Sequence, residues 1–182
     1  MDRALIELAQ QGDRDAYARI ASTASHRWFA LALRIMRDHE TARDVVQGVL
    51  VQIWRDLPDL RDPDLFDAWS RRVVVNACGT ARRRAGQRVT SIDRELAVPS
   101  VGDSQATVAL RDELERAFAR LSVDQRAVLV LQYYEDLPLA EIAASLGVSE
   151  GTVKSRLHAA RRAMRAAIDA DARLPIRAEG RL

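Results

Sequence analysis

Pro138-Leu139-Ala140-Glu141-Ile142-Ala143-Ala144-Ser145-Leu146-Gly147-Val148-Ser149-Glu150-Gly151-Thr152-Val153-Lys154-Ser155-Arg156-Leu157 reads as two helices joined by a tight turn. Pro138 suits the first turn of a helix, where its missing N–H has no intrahelical partner to lose. Gly147 suits the position just past a helix end, where a left-handed backbone costs glycine nothing. Ser149 then offers a side-chain oxygen to the free N–H groups of a second helix, which apolar spacing extends to about Ile168. Ile142, Leu146 and Val148 are placed to pack against Val153 and Leu157, and Ala143 is small enough for a close crossing. This is the helix-turn-helix pattern, whose second helix is free to enter a major groove. Val153, Leu157, Ala160, Met164 and Ile168 form its inward stripe. Lys154, Ser155, His158, Arg162 and Arg165 fall opposite, with Arg156 and Arg161 on the flanks and Glu150 the sole acid. An ordinary helical hairpin shares the turn. The acid-poor basic face favours DNA.

Outward from this motif, apolar residues recur at helical spacing nearly everywhere, so the chain reads as all-α. Ser122 with Gln125 fits a capping box for a helix through Val128, Leu131 and Tyr134. A helix carrying Leu110, Leu114, Phe118 and Leu121 precedes it. Near the start, residues 2–11 read as a short helix ending at Gly12. Asp13 or Asp15 starts the next, which runs through Tyr17, Ile20, Trp28, Leu31 and Ile35. The polar run Arg37-Asp38-His39-Glu40-Thr41 breaks the pattern. A third helix carries Val45, Val46, Val49, Leu50, Ile53 and Trp54 and ends near Pro58. Beyond Pro63, a fourth carries Trp69, Val73, Val74, Ala77 and Ala81. From Gly86 to about Val108, breakers such as Pro99 and Gly102 replace the periodicity. The organisation expected is therefore two small helical domains, 1–86 and 109–170, without an obvious shared core. A flexible linker (87–108) joins them, and a disordered tail (171–182) follows.

Lys and Arg total 28 against 26 Asp and Glu, and the net charge of +2 conceals local concentration. No acid occurs between Asp67 and Asp93, a stretch that holds Arg71, Arg72, Arg82, Arg83, Arg84 and Arg88. On a helix, Arg72, Asn76, Thr80 and Arg83 line one stripe with Trp69 at its N-terminal end. Guanidinium groups pair with phosphates and aromatic rings stack on unpaired bases, so this stripe suits a nucleic-acid strand. A solvated arginine face with Trp69 in the core fits equally well. Enzyme signatures are missing: His26, His39 and His158 are scattered, and no HExxH, P-loop, GxSxG or GxGxxG occurs. The single Cys78 excludes an internal disulfide and a Cys-rich zinc site, and a packed thiol is the default. No catalytic residue, cofactor or metal is expected. With no apolar run long enough to span a bilayer and no signal-peptide core, a soluble cytoplasmic protein is expected.

Three strings resemble region four of bacterial sigma factors: Leu121-Ser122-Val123-Asp124-Gln125-Arg126, Tyr133-Tyr134-Glu135-Asp136-Leu137, and the helix-turn-helix from Glu141 to Leu157. The first half resembles region two, in Ala42-Arg43-Asp44-Val45-Val46-Gln47 through Ile53-Trp54, then Phe66-Asp67-Ala68-Trp69 and Val73-Val74-Val75-Asn76. With a short linker in place of region three, the whole is similar to the extracytoplasmic-function (ECF) sigma factors over about residues 4–168. The resemblance implies a factor that binds core RNA polymerase and directs promoter-specific initiation under control of an anti-sigma factor. Off the polymerase it would be a monomer or a heterodimer. By the same resemblance, Trp69, Arg71, Arg72, Asn76, Thr80 and Arg83 would take the melted minus-ten strand. Ser149, Gly151, Thr152, Lys154, Ser155, Arg156, His158, Arg161 and Arg162 would read the minus-thirty-five duplex. Asp44, Gln47, Val51 and Arg55 face away from the third helix's apolar stripe and would meet core polymerase. Three positions depart from the family pattern: Gly48 replaces an acid, Ser70 an apolar residue and Val75 a basic one. A dimeric helix-turn-helix regulator would explain residues 110–168 but leave the first half idle. A helical adaptor would need both arginine segments to be mere solvated faces.

Overall fold

The computed structural model describes residues 1–85 and 105–172, and an aspartate sets the start of each of its first three helices. The Asp2 carboxylate accepts the Ala4 N–H at 3.0 Å and opens α1 (Arg3–Gln10). Asp13 accepts from Asp15 and Ala16, both at 2.9 Å, and opens α2 (Arg14–Met36). Asp38 accepts from Thr41 at 2.7 Å and opens α3 (His39–Asp56). These bonds satisfy N–H groups that the first turn leaves without partners. The polar run at 37–41 is thus only partly a break. Arg37 ends α2 in the left-handed region (φ 58°), whereas His39, Glu40 and Thr41 already belong to α3. Two short 3-10 turns, Leu57–Asp59 and Pro63–Leu65, lead into α4 (Phe66–Ala85).

Helices α1–α4 close around Ile20, Trp28, Ile35, Val49, Ile53, Phe66 and Val74. Ala77 and Ala81, expected inside with Val73 and Val74, are half-buried, while Val75 and Cys78 are buried. Burial pushes the Cys78 thiol up to about 12, so it stays protonated. Tyr17 donates its hydroxyl to the Leu50 carbonyl and lays its ring beside Trp54, 4.9 Å between centroids. Gly48 lies mid-α3 on the exposed side, and a Cβ there would meet nothing within 4 Å. Gly48→Ala should therefore stabilise the fold by about 0.5–1 kcal/mol, since glycine in a helix interior carries excess unfolded-state entropy. A thermal melt should rise by about 1–4 °C.

The second half comprises α5 (Gln105–Ala119), α6 (Val123–Tyr133), α7 (Leu139–Leu146) and α8 (Glu150–Ala172). The capping box is present: Ser122 Oγ accepts the Gln125 N–H at 3.2 Å, and the Gln125 side chain accepts the Ser122 N–H at 2.9 Å. Two boundaries move. Helix α5 begins at Gln105, so the last four residues of the expected linker are helical; residues 87–104 of it lie outside the described residues. Helix α8 continues past Ile168 through Ala172, where Arg116 of α5 and Arg120 just beyond that helix pair with Asp171. Residues 173–182 of the expected tail also lie outside the described residues. Among the described residues there is no β-strand.

Two helical halves form as expected, but the reading of them as lacking a shared core is corrected. Six consecutive residues of α6, Arg126 to Leu131, are buried. A helix apolar on one face needs one partner, and a helix buried all round needs several. Here α6 meets α2 and α4 of the first half as well as α7 and α8. The buried residues of both halves form one continuous cluster.

At this joint the Arg126 guanidinium donates to Ile35 O at 2.7 Å and Met36 O at 3.4 Å, at the end of α2. It also donates to Ala119 O at 3.3 Å, at the end of α5. The negative ends of two helices thus solvate this cation through their carbonyls. Burial, with a smaller push from Arg37, lowers its pKa to about 10. Around it, Arg34 stacks 3.4 Å from the centre of the Tyr134 ring, and Arg37 pairs with Glu115.

Candidate nucleic-acid interface

The helix-turn-helix is built as its residues require. Gly147 turns the chain at φ 65°, a conformation open to glycine at no steric cost. The Val148 N–H then reaches back to Ala143 O at 3.1 Å. Ser149 Oγ accepts the Thr152 N–H at 3.2 Å and lies 3.0 Å from Thr152 Oγ1, fixing the start of α8. Ile142, Val153, Leu157 and Ala160 are buried between α7 and α8, while Met164 and Ile168 are half-buried. On the outer face Ser149, Gly151, Lys154, Ser155, His158, Arg162 and Arg165 are exposed. Thr152 and Arg156 are half-buried at its edge. Arg161 turns aside: its Nε donates to the Tyr133 hydroxyl at 2.9 Å, and its guanidinium lies 5.6 Å from that ring's centre.

On α4, Arg72, Asn76 and Arg83 are exposed and Thr80 is half-buried. Thr80 donates to the Asn76 carbonyl at 3.0 Å, and Arg83 donates to Thr80 Oγ1 at 2.8 Å. That ladder holds the Arg83 guanidinium against the helix. Trp69 is half-buried, its ring 6.0 Å from Phe66, so one part packs on the core and the rest extends the stripe. Arg71 leaves the row. Its Nε lies 3.4 Å from Glu135, its Nη1 3.9 Å from Glu141, and its side chain is only 20% exposed. Ser70 and Val75, the departures on this helix, are both buried, and Ser70 Oγ donates to the Asp67 carbonyl at 3.2 Å. They alter the helix's inner side, not its open stripe.

On α3, Asp44, Gln47, Val51 and Arg55 are exposed on one face, Val51 to 68%. Arg55 pairs with Asp56 at 2.6 Å. Trp54, expected inside, is 36% exposed at the edge of the same face. An exposed valine beside a half-stacked tryptophan is an apolar surface flanked by charges, the composition of a partner-binding helix.

Sequence reading missed two features. One is Arg126, whose signal was present: a lone arginine opening the apolar run Ala127-Val128-Leu129-Val130-Leu131. The other is a groove of about 1330 Å³ where α2 meets α5, α6 and α8. Its floor includes Leu33, Leu114, Phe118 and Met164, and its rim carries Arg34, Arg37, Arg161 and Arg165 together with the acids Glu115 and Asp169. Leu114 is 41% exposed there. Among the described residues no cluster of His, Cys, Asp or Glu is arranged to hold a metal. No helix among them is long and apolar enough to cross a membrane.

Comparison with known proteins agrees with this arrangement. Residues 23–88 match the model of Sigma-70 region 2, and residues 111–164 match that of Sigma-70, region 4. The chain is 34% identical over 160 residues to the ECF RNA polymerase sigma factor SigM of Mycobacterium tuberculosis, covering 88% of this chain and 81% of that one. It is 29% identical over 177 residues to the RNA polymerase sigma-H factor of Pseudomonas aeruginosa, covering 90% and 91%. Among solved structures it resembles CnrH in complex with the cytosolic domain of CnrY. That match has a TM-score of 0.62 at 27% identity and covers 93% of this chain and 98% of CnrH. With a region-two half, a region-four half and full-length relatives at this identity, the chain belongs to the ECF RNA polymerase sigma factors.

Proposed function

We propose that this sigma factor divides its work among three helix faces: α3 for core RNA polymerase, α4 for the minus-ten strand and α8 for the minus-thirty-five duplex. It binds core RNA polymerase and promoter DNA and directs initiation. It acts in the cytoplasm, as an initiation factor and not as a catalyst. One observation carries the division. Three exposed faces of different chemistry stand on separate helices: charged and apolar on α3, arginine and amide on α4, basic and nearly acid-free on α8. A dimeric regulator would leave the first two without a task.

Charge reversal at Asp44 tests the polymerase face. Asp44 is exposed, so Asp44→Arg should change stability by no more than about 0.5 kcal/mol. It should nevertheless compete poorly against the parent for core polymerase. Parent-level competition by a folded Asp44→Arg protein would remove α3 from that interface.

The duplex face has its own test. The exposed Arg162 should contribute about 1–3 kcal/mol and one base preference, whereas loss of a phosphate contact would weaken binding uniformly. Transcription from promoters randomised across the upstream element distinguishes the two for Arg162→Ala and Arg156→Ala. Unchanged activity and preference in both variants would displace α8 from the duplex.

Control by an anti-sigma factor completes the reading. CnrH is found bound to the cytosolic domain of CnrY. In this chain, an apolar groove whose rim holds more arginines than acids spans both halves and suits an amphipathic helix carrying acidic residues. Such a partner would hold the halves together.

A further inference from the structure

Tyr17 of α2 reaches across to α3 at two points. Its hydroxyl donates to the Leu50 carbonyl, and its ring lies against the Trp54 indole, 4.9 Å between centroids and tilted by 58°. Inside a helix the Leu50 carbonyl is also the acceptor for the Trp54 N–H. The hydroxyl therefore meets α3 at the backbone bond that carries Trp54. Burial raises the hydroxyl's pKa above its ordinary value, against a smaller push the other way from the Trp54 N–H, so it stays protonated and able to donate. The last turns of α3 gain from such a hold. Gly48 weakens the helix from the middle, and Pro58 lies just past its end. Ile53 and Leu57 fix the inner side, both fully buried. On the outer side Val51 and Trp54 are exposed, and an exposed indole left to itself samples several rotamers.

We propose that Tyr17 is a positioning residue for the polymerase contact: it holds the Trp54 indole ready beside Val51 on the open face of α3. The inference rests on the assignment of α3 to core polymerase. It adds Trp54 to that face and gives Tyr17, a half-buried residue of another helix, a part in binding. Ordering a side chain at an interface costs binding free energy, so a ring ordered beforehand binds tighter without an added contact. The hydroxyl has its own share in this. A phenylalanine could still stack on the indole, but it would lose the tie to the Leu50 carbonyl that fixes the stack against the helix.

The test is a double-substitution cycle in the full-length protein, read as competition with the parent for core polymerase well below the melting temperature. Tyr17→Leu should weaken binding by about two- to tenfold, the range that ordering one such side chain covers, and Trp54→Ala by at least as much. In the Trp54→Ala background, Tyr17→Leu should cost nothing further, because it acts through the indole. A general loss of stability would instead add in both backgrounds. Acrylamide should quench tryptophan fluorescence more in Tyr17→Leu than in the parent, and equally in Trp54→Ala with or without Tyr17→Leu. Tyr17→Phe keeps the ring without its tie, so it should fall between the parent and Tyr17→Leu in both readouts. It carries the same cycle should the leucine variant fail to fold. Parent-level binding by the Tyr17 variants, or losses that add to that of Trp54→Ala, overturns the positioning role. Asp44→Arg separates this outcome from the α3 assignment. If Asp44→Arg and Trp54→Ala both compete at the parent level, that assignment falls and the positioning role with it. If Asp44→Arg alone weakens binding, α3 stays in the interface and only the positioning role falls.

Discussion

Arg126→Leu is expected to lower the melting temperature by about 3–12 °C in a circular dichroism melt. The guanidinium is a buried polar tie between the halves, donating to carbonyls that end α2 and α5. Leucine leaves those carbonyls without a donor inside a closed joint. Hydrogen bonds from a charged group contribute about 1.5–3 kcal/mol net, and a chain of this length loses about 2–4 °C for each kcal/mol. Burial offsets part of that gain, which is why the pKa falls to about 10. The sign follows from the proton count. Below about 10 the group is charged in folded and unfolded chains alike, so its contribution is flat across neutral pH. Above about 10 the folded chain gives up the proton first while the unfolded chain still holds it, and stability from this group rises with pH. Arg126→Lys keeps the charge but loses the planar fork, so it should melt between parent and leucine variant. A leucine variant melting with the parent would show that apolar packing alone holds the joint.

The second large effect is expected in promoter opening. Asn76→Ala with Arg83→Ala should reduce permanganate reactivity of the unpaired thymines by roughly 10- to 100-fold at limiting protein. An arginine–phosphate contact is worth about 1.5–3 kcal/mol, and each 1.36 kcal/mol is tenfold. Both side chains are exposed, so the fold should survive the change. Competition for core polymerase should stay at the parent level, because α3 is untouched. Parent-level reactivity would mean that the Arg83–Thr80–Asn76 ladder serves the helix and not the strand.

Local chemistry was legible wherever a residue acts within its own turn of helix. The Asp13 cap, the Ser122–Gln125 box, the Gly147 turn and the outward row from Lys154 to Arg162 all follow from side chains and backbone a few residues apart. The same holds for the α3 face, since Asp44, Gln47, Val51 and Arg55 oppose an apolar stripe that could point only inward. Periodicity failed where a helix end is decided by a distant partner. Asp171 extends α8 because Arg116 of α5 and Arg120 just past that helix reach it. Leu114 and Trp54 obey the helical period yet stay partly exposed: Leu114 lines the open groove, and Trp54 sits at the edge of the α3 face with Tyr17 on one side.

By itself, the sequence determined the helices, most of the breaks between them, the helix-turn-helix and the three chemically distinct faces, because each rests on residues near one another in the chain. Only the tertiary structure decided that the halves share a core, that Arg126 is buried there, and which α4 arginines are left open. Asp124, Glu135 and Glu141 show why. Each looks like a solvent-facing acid in its own segment, and pairing with an arginine over forty positions earlier carries no local signature. Those pairings depend on how α6 and α7 lie against α4, which is set by burial summed over both halves and not by any one stretch of chain.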